Sequence, residues 1–261
     1  TTSNGTFVRK YVTAHYLSIA ATEKLTLGLF ETVIYQDSTG SRGYDINYLN
    51  PFIFYRPVEF ALGSTGGNVL IGLNVKYQWT PNLYTYGQFL LDELKVDEFF
   101  GGSGWWANKY SIQVGFKSFN TFIPNLMIQS EVNSVRPYTY THRTSLQNFA
   151  HYNQSLTHPL GANFIESITN IRYLSSKRWF AELSLMYALQ GLDSVDDENW
   201  GSDLYVSYNT REQDFGNETL QGNESSTLLA DIKIGYLFNP NTNFRFEIGY
   251  TYRNFSPEFD T

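Results

Sequence analysis

The sequence predicts an all-β fold, an antiparallel transmembrane β-barrel of the outer-membrane type. Three observations predict it. Strand-length segments alternate strictly between apolar and polar residues, the connections alternate short and long along the chain, and the composition is rich in aromatics and poor in charge. Of 261 residues, 17% are aromatic and only 16% are charged, against about 25% charged in ordinary globular chains.

Ten segments qualify as strands. The first, Tyr11–Ala21, alternates poorly, and Leu25–Tyr35 follows it. Val69–Trp79 puts Val69, Ile71, Leu73, Val75, Tyr77 and Trp79 opposite Gly72, Asn74, Lys76 and Gln78. Successive side chains of an extended strand point to opposite faces, so such a segment has one oily and one polar side. Leu83–Lys95 is a weaker case, while 109–117 sets Tyr110, Ile112, Val114 and Phe116 against Lys109, Ser111, Gln113, Gly115 and Lys117. Leu126–Arg136 and Asn163–Leu174 are again weaker, and Trp179–Gln190 carries Trp179, Ala181, Leu183, Leu185, Tyr187 and Leu189 on one face. The last two are the clearest: Leu228–Phe238, then Asn243–Arg253, where Phe244, Phe246, Ile248, Tyr250 and Tyr252 turn away from Arg245, Glu247 and Arg253.

The short connections are Thr22–Lys24, Thr80–Asn82, Asn120–Asn125, Ser175–Arg178 and Asn239–Thr242. The long ones are Gln36–Asn68, Val96–Asn108, Pro137–Ala162 and Gly191–Ser226. An outer-membrane barrel has this asymmetry, with short periplasmic turns and long extracellular loops. The segments also have the length that a tilted strand needs to cross hydrocarbon, and aromatics gather at their ends (Tyr77, Trp79, Trp179, Tyr250, Tyr252), as interfacial girdles do. Closure follows from the solvent, because lipid offers no partner to an unpaired backbone edge. The expected location is the bacterial outer membrane, with lipid as the first partner.

Residues 1–261 read as a single barrel domain, with a plug-like insertion at 43–64 and a long extracellular loop at 191–226. Short turns on the periplasmic side would leave both ends of the chain outside the cell, whereas single-chain barrels keep their termini in the periplasm. The expectation is therefore part of a larger barrel, with a miscounted first strand as the alternative. Within the insertion, Tyr48–Leu62 departs from period two, and Asn50 before Pro51 reads as a helix N-cap with proline at the first helical position. Arg56 and Glu59 are expected to pair with lumenal charges and hold this plug. The polar strand faces line the lumen: Lys76, Gln88, Asp92, Gln113, Lys117, Gln129, Glu131, Asn133, Glu166, Asn170, Arg172, Glu182, Asp231, Lys233, Arg245 and Glu247. Asp92 and Glu166 are assigned structural roles there.

A formal net charge of -7 argues against nucleic acid, whose phosphates want a basic face. The absence of cysteine excludes disulfides, thiol catalysis and thiolate zinc sites. No phosphate loop, nucleophile elbow or HExxH is present, so neither an enzyme nor a cofactor is expected. Asp92 and Glu93 suggest a glycosidase pair, but neighbours in a regular strand face opposite ways. His142, His151 and His158 match no metal-ligand spacing, and no metal is assigned. The loop 191–226 is acidic without a calcium-loop register, and reads as solvated.

Several segments carry a family resemblance: LTLGLFETVIYQD (Leu25–Asp37), GYDINYLNPFIFYRPVE (Gly43–Glu59), YGQFLLDELK (Tyr86–Lys95), WWANKYSIQVGFK (Trp105–Lys117), NSVRPYTYTHR (Asn133–Arg143) and HYNQSLTHPLGANF (His151–Phe164). In this order they resemble the Wzi-like capsule-assembly family, in its Bacteroidota form often named after the gliding-motility protein RemB. The resemblance covers about Leu25 to Phe164 and loosely the last strands. It implies an outer-membrane barrel with more strands than ten, which holds or organises surface or capsular polysaccharide. The Bacteroidota relatives are linked to gliding, adhesion or polysaccharide handling. On that reading Arg136, Tyr138, Tyr140, His142, His151, Tyr152 and His158 are the candidate glycan contacts, since rings stack on sugar C–H faces while Arg and His bond hydroxyls. Trp105 and Trp106 join them, with interfacial anchoring in lipid as an equal alternative. A structural subunit of a larger envelope machine and a transport pore are the competing readings.

Overall fold

All the period-two segments pair into one sheet. The structure, a computed structural model, describes residues 9–37, 48, 67–120, 122–175, 178–193 and 198–257. Its strands are β1 (Arg9–Ala20), β2 (Leu25–Asp37), β3 (Asn68–Thr80), β4 (Leu83–Glu93), β5 (Lys109–Phe119) and β6 (Leu126–Val135). A two-residue hairpin, β7 (Ala150–His151) and β8 (Gln154–Ser155), interrupts the next connection before β9 (Phe164–Leu174), β10 (Trp179–Leu192), β11 (Asn223–Asn239) and β12 (Phe244–Pro257). The sheet order β1-β2-β3-β4-β5-β6-β9-β10-β11-β12 is a meander of antiparallel neighbours, and among the described residues no pairing joins β1 to β12. Its connectivity puts every short turn at one end and every long connection at the other.

The poorly alternating first segment is a strand, paired to β2 over twelve residue pairs from Arg9↔Asp37 to Ala20↔Thr26. Ladder hydrogen bonds need no side-chain pattern, which is why β1 forms regardless. The loop expected at 191–226 is shorter, because β10 runs on to Leu192 and β11 begins at Asn223. Of the insertion at 43–64 only Tyr48 is described, so Asn50, Pro51, Arg56 and Glu59 lie outside the described residues. Tyr48 stacks on Tyr35 at 4.6 Å, and Tyr35 on Tyr11 at 5.4 Å, on the face of β2 that also carries Leu27 and Leu29.

Register assigns the two faces. Lys76↔Tyr86, Tyr84↔Lys117, Lys117↔Gln129, Gln129↔Asn170, Arg172↔Glu182 and Glu182↔Lys233 run across one face of the sheet. Residues from β1, β2 and β3 line a single cavity with others from β4, β5 and β6, so this polar face is the concave one. The opposite face is apolar and exposed: Trp79 at 55%, Trp179 at 52%, Phe246 at 63% and Ile248 at 66%. A water-soluble sheet hides its apolar face and wets its polar one, and exposed apolar patches beyond a few hundred Å² are rare on soluble monomers. This sheet leaves its apolar face exposed.

Four aromatic side chains of the concave face lie over glycines of the neighbouring strand: Tyr16 over Gly28, Phe30 over Gly72, Tyr86 over Gly115 and Phe180 over Gly235. A Cβ at any of these positions would collide with the ring. Glycine thereby lets a large ring lie flat against the sheet, a device that pins register where the sheet curves. At the turn end of the apolar face, Trp179, Tyr236, Phe238 and Phe244 form a chain of ring contacts at 5.0, 5.0 and 5.5 Å.

Candidate functional site

Three long connections knit into one cap at the loop end. The first, 94–108, contains helix α1 (Val96–Gly101), where the sequence predicts only a loop; Gly102 closes it in the left-handed region at φ 65°. The second, 136–163, carries β7 and β8, and the third, 193–222, carries a single 3-10 turn at Tyr208–Thr210. Backbone N–H groups of Trp106, Gly216 and Asn217 donate to the carbonyls of Asp214, Ser103 and Gly104, each at 2.9 Å. Tyr138 N–H donates to Gly201 O at 2.9 Å, and Asn148 Nδ2 to Leu204 O at 2.8 Å. The acidic side chains of loop 193–222 are mostly exposed, as expected of a solvated loop, but its backbone is tied into the cap. Asp193 accepts from the backbone of Trp200, Ser202 and Asp203 at 2.7, 3.3 and 3.2 Å, and Asn199 and Asn217 are buried. Those donors, supplied by the same loop, turn an acidic residue inward without leaving backbone groups unsatisfied.

The candidate glycan residues take different stations in this cap. Tyr138 and Tyr140 are buried, with φ of 63° and 74°. Such angles are costly for a bulky residue and persist only where surroundings hold them. Here Tyr138 Oη donates to Asn199 O at 2.7 Å, Tyr140 Oη to Ser111 Oγ at 3.2 Å, and Asp92 Oδ2 accepts from Tyr140 N–H at 2.8 Å. Burial raises both phenols, Tyr140 to about 12. Arg136 donates to Asn217 O at 3.0 Å and lies over the Tyr110 ring. Trp105 is half-buried against Phe215 at 4.9 Å with Lys95 over its ring, and Trp106 packs on Tyr208 at 4.8 Å with Arg211 at 4.2 Å above it. Tyr152 is 90% exposed and touches His151 edge-on.

The structure thus brings Trp105, Trp106, Arg136, Tyr138 and His142 into one neighbourhood. His151 and Tyr152 sit on the small hairpin, and His158 points into the groove below. Lys95, Tyr208, Arg211 and Phe215 complete the Trp105–Trp106 cluster, and no local pattern in the sequence marks them. His142 meets the Tyr208 ring edge-on at 5.8 Å. Burial, then the charges of Lys109, Arg143 and Lys10, lower its pKa to about 3, so its imidazole is neutral. Among the described residues no three His, Asp or Glu are grouped to hold a metal ion.

Asp92 and Glu93 reach one partner after all. A bulge between Leu91 and Glu93 breaks the alternation, and Lys109 Nζ lies 3.5 Å from Asp92 and 3.2 Å from Glu93. Asp92 and Lys109 are buried, so this triad pins the root of the first loop to that of the second through Tyr140. Removing one member of a buried pair strands the other charge. Glu166 plays a matching role lower down: it meets His158 Nε2 at 3.0 Å and accepts from Asn133 Nδ2 at 3.0 Å. Beneath the cap, the groove opens into a cavity of about 640 Å³, lined among others by His158, Phe149, Tyr140, Phe30 and Tyr16.

These features define a ten-stranded antiparallel sheet with an exposed apolar face, a polar concave face and a stitched loop cap. No protein-family model matches the chain, and no curated protein sequence does. Among solved structures it is similar to Wzi, an outer-membrane protein involved in group 1 capsule assembly in Escherichia coli and described as a carbohydrate-binding β-barrel. The match has a TM-score of 0.54 at 12% identity and covers 95% of this chain and 49% of that one. The likeness is one of fold, and the chain spans about half the length of that structure.

Proposed function

We propose that this chain is part of an outer-membrane β-barrel that binds or organises surface polysaccharide, without enzymatic activity, and that the capped end is its extracellular, ligand-facing end. The observation that carries the reading is the inversion of the sheet: apolar side chains cover the exposed convex face of ten strands while charges and amides line the concave one. Lipid is the solvent that makes such an arrangement stable. The half-length match to a carbohydrate-binding barrel supports both the ligand class and the idea that these strands are one arc of a larger cylinder. The Bacteroidota form of the family remains our reading of the segments quoted above.

Glycan contact falls to the rings that the cap leaves accessible, Trp105 and Phe215 first, with Lys95 beside them. Tyr138 and Tyr140 act from behind by fixing the loops. Replacing Trp105 and Phe215 together by Ala should lower polysaccharide retention by roughly tenfold, the scale of losing two stacking contacts. Surface level and heat-modifiable migration should stay normal. Cell-surface polysaccharide assays on envelopes with matched protein amounts would measure it, and unchanged retention would sink this site.

A further inference from the structure

The concave face carries a row of carboxamides that no stretch of sequence contains. Asn74 in β3 pairs with Gln88 in β4, Gln88 with Gln113 in β5, and Gln113 with Asn133 in β6. At the usual strand spacing of ~4.8 Å the four amides span about 14 Å across the sheet. All four line the 640 Å³ cavity, and three of them also line or adjoin a second space of about 340 Å³ toward the turn end. Tyr16 accepts from Asn74 Nδ2 at 3.3 Å at one end of the row, and His158 stands on Glu166 at the other. Gln88 Nε2 donates to Asn74 Oδ1 at 2.8 Å, Asn133 Nδ2 to Glu166 at 3.0 Å, and Gln113 Nε2 and Asn133 Nδ2 each reach Glu131 Oε1 at 3.5 Å, while no hydrogen bond joins Gln88 to Gln113 among the described residues.

Each carboxamide offers two donors and an acceptor without charge, which suits hydroxyl groups. The rings of Tyr16, Phe30, Tyr140 and Phe149 face the same space. No lysine or arginine lines the larger cavity among the described residues, whereas Glu31 does and Glu166 stands behind His158. An anionic ligand would find no lysine or arginine among the described residues of that cavity, and Lys76 lines only the smaller space toward the turn end. The volume lies within the roughly 300–1,000 Å³ of small-molecule sites.

We propose that the row Asn74–Gln88–Gln113–Asn133 is a binding track for an uncharged, hydroxyl-rich oligosaccharide end that passes beneath the cap. The proposal rests on the polysaccharide reading and adds to it a second subsite and a charge preference. The chain has no cysteine, so Gln113→Cys gives these 261 residues a single thiol, placed in the track. The protein purified in detergent would be offered two probe sets: neutral hexose oligosaccharides and uronate oligosaccharides of equal length. Binding would be read by saturation-transfer NMR, and occupancy by the rate of maleimide labelling at position 113.

Neutral probes should bind and slow the labelling, and Gln88→Leu with Gln113→Leu should weaken their binding by about tenfold through loss of two hydrogen-bonding groups. Undiminished neutral binding in that double variant, abolished instead by Trp105→Ala, overturns the track and leaves the functional reading standing. Labelling slowed by uronates alone overturns the charge preference and with it the proposal. Binding of neither probe set to the unaltered protein overturns both.

Discussion

At the scale of the residue, His142 shows what burial does to a group that looked like a ligand. Its imidazole is held neutral between the Tyr208 ring and nearby cations, with a pKa near 3 in place of the ordinary 6.5. The unfolded chain takes up a proton as pH falls through about 6.5, while the folded cap refuses it until about 3. The folded pKa is depressed, so this contribution to stability is whole above the unfolded value and declines through the interval between the two. The cap should therefore loosen on acidification, seen as growing protease cleavage within 136–163 and a change in Trp106 fluorescence. His142→Phe should flatten that pH profile. An identical acid profile in the variant would assign the sensitivity to other groups.

At the scale of the element, the glycine-and-ring pairs set how the strands sit on one another. Gly72→Ala should destabilise the fold by about 1–3 kcal/mol, the usual cost of overpacking, because only the Phe30 ring fills the space that a Cβ needs. Phe30→Leu in the same background should restore part of the loss, giving a non-additive cycle in denaturant melts. Additive losses would mean the ring and the glycine do not couple. The strand faces were legible because period two is a local signal: every residue read as lumenal except Asp92, from Lys76 to Glu247, shares the concave face by register. The bulge at Asp92 was not legible, since one extra residue leaves no trace in the pattern. Nor were the partners of Trp105 and Trp106: Tyr208, Arg211 and Phe215 lie about a hundred residues on, and only tertiary packing brings them back. The amide row is invisible for the same reason, one residue coming from each of four strands.

At the scale of the whole molecule, the inverted sheet decides the solvent. On the membrane reading, Ile232→Arg puts a cation on the convex face near the middle of β11, a cost of about 2–4 kcal/mol at the centre of a bilayer. Thr251→Arg, on the concave face opposite Asp231, should be tolerated. Folding yields into lipid vesicles, read by heat-modifiable gel mobility, would separate the two. Equal yields would count against a lipid-facing surface.

The backbone bond from Asn217 to Gly104 has a consequence for biogenesis. It joins points on the chain that are separated by four of the sheet's ten strands, so a polypeptide emerging from its N-terminus can lay down eight of these ten strands before the fastener arrives. Until the late acidic loop is delivered, the tryptophan pair lacks Tyr208, Arg211 and Phe215, so on the polysaccharide reading recognition waits on the last part of the cap to arrive.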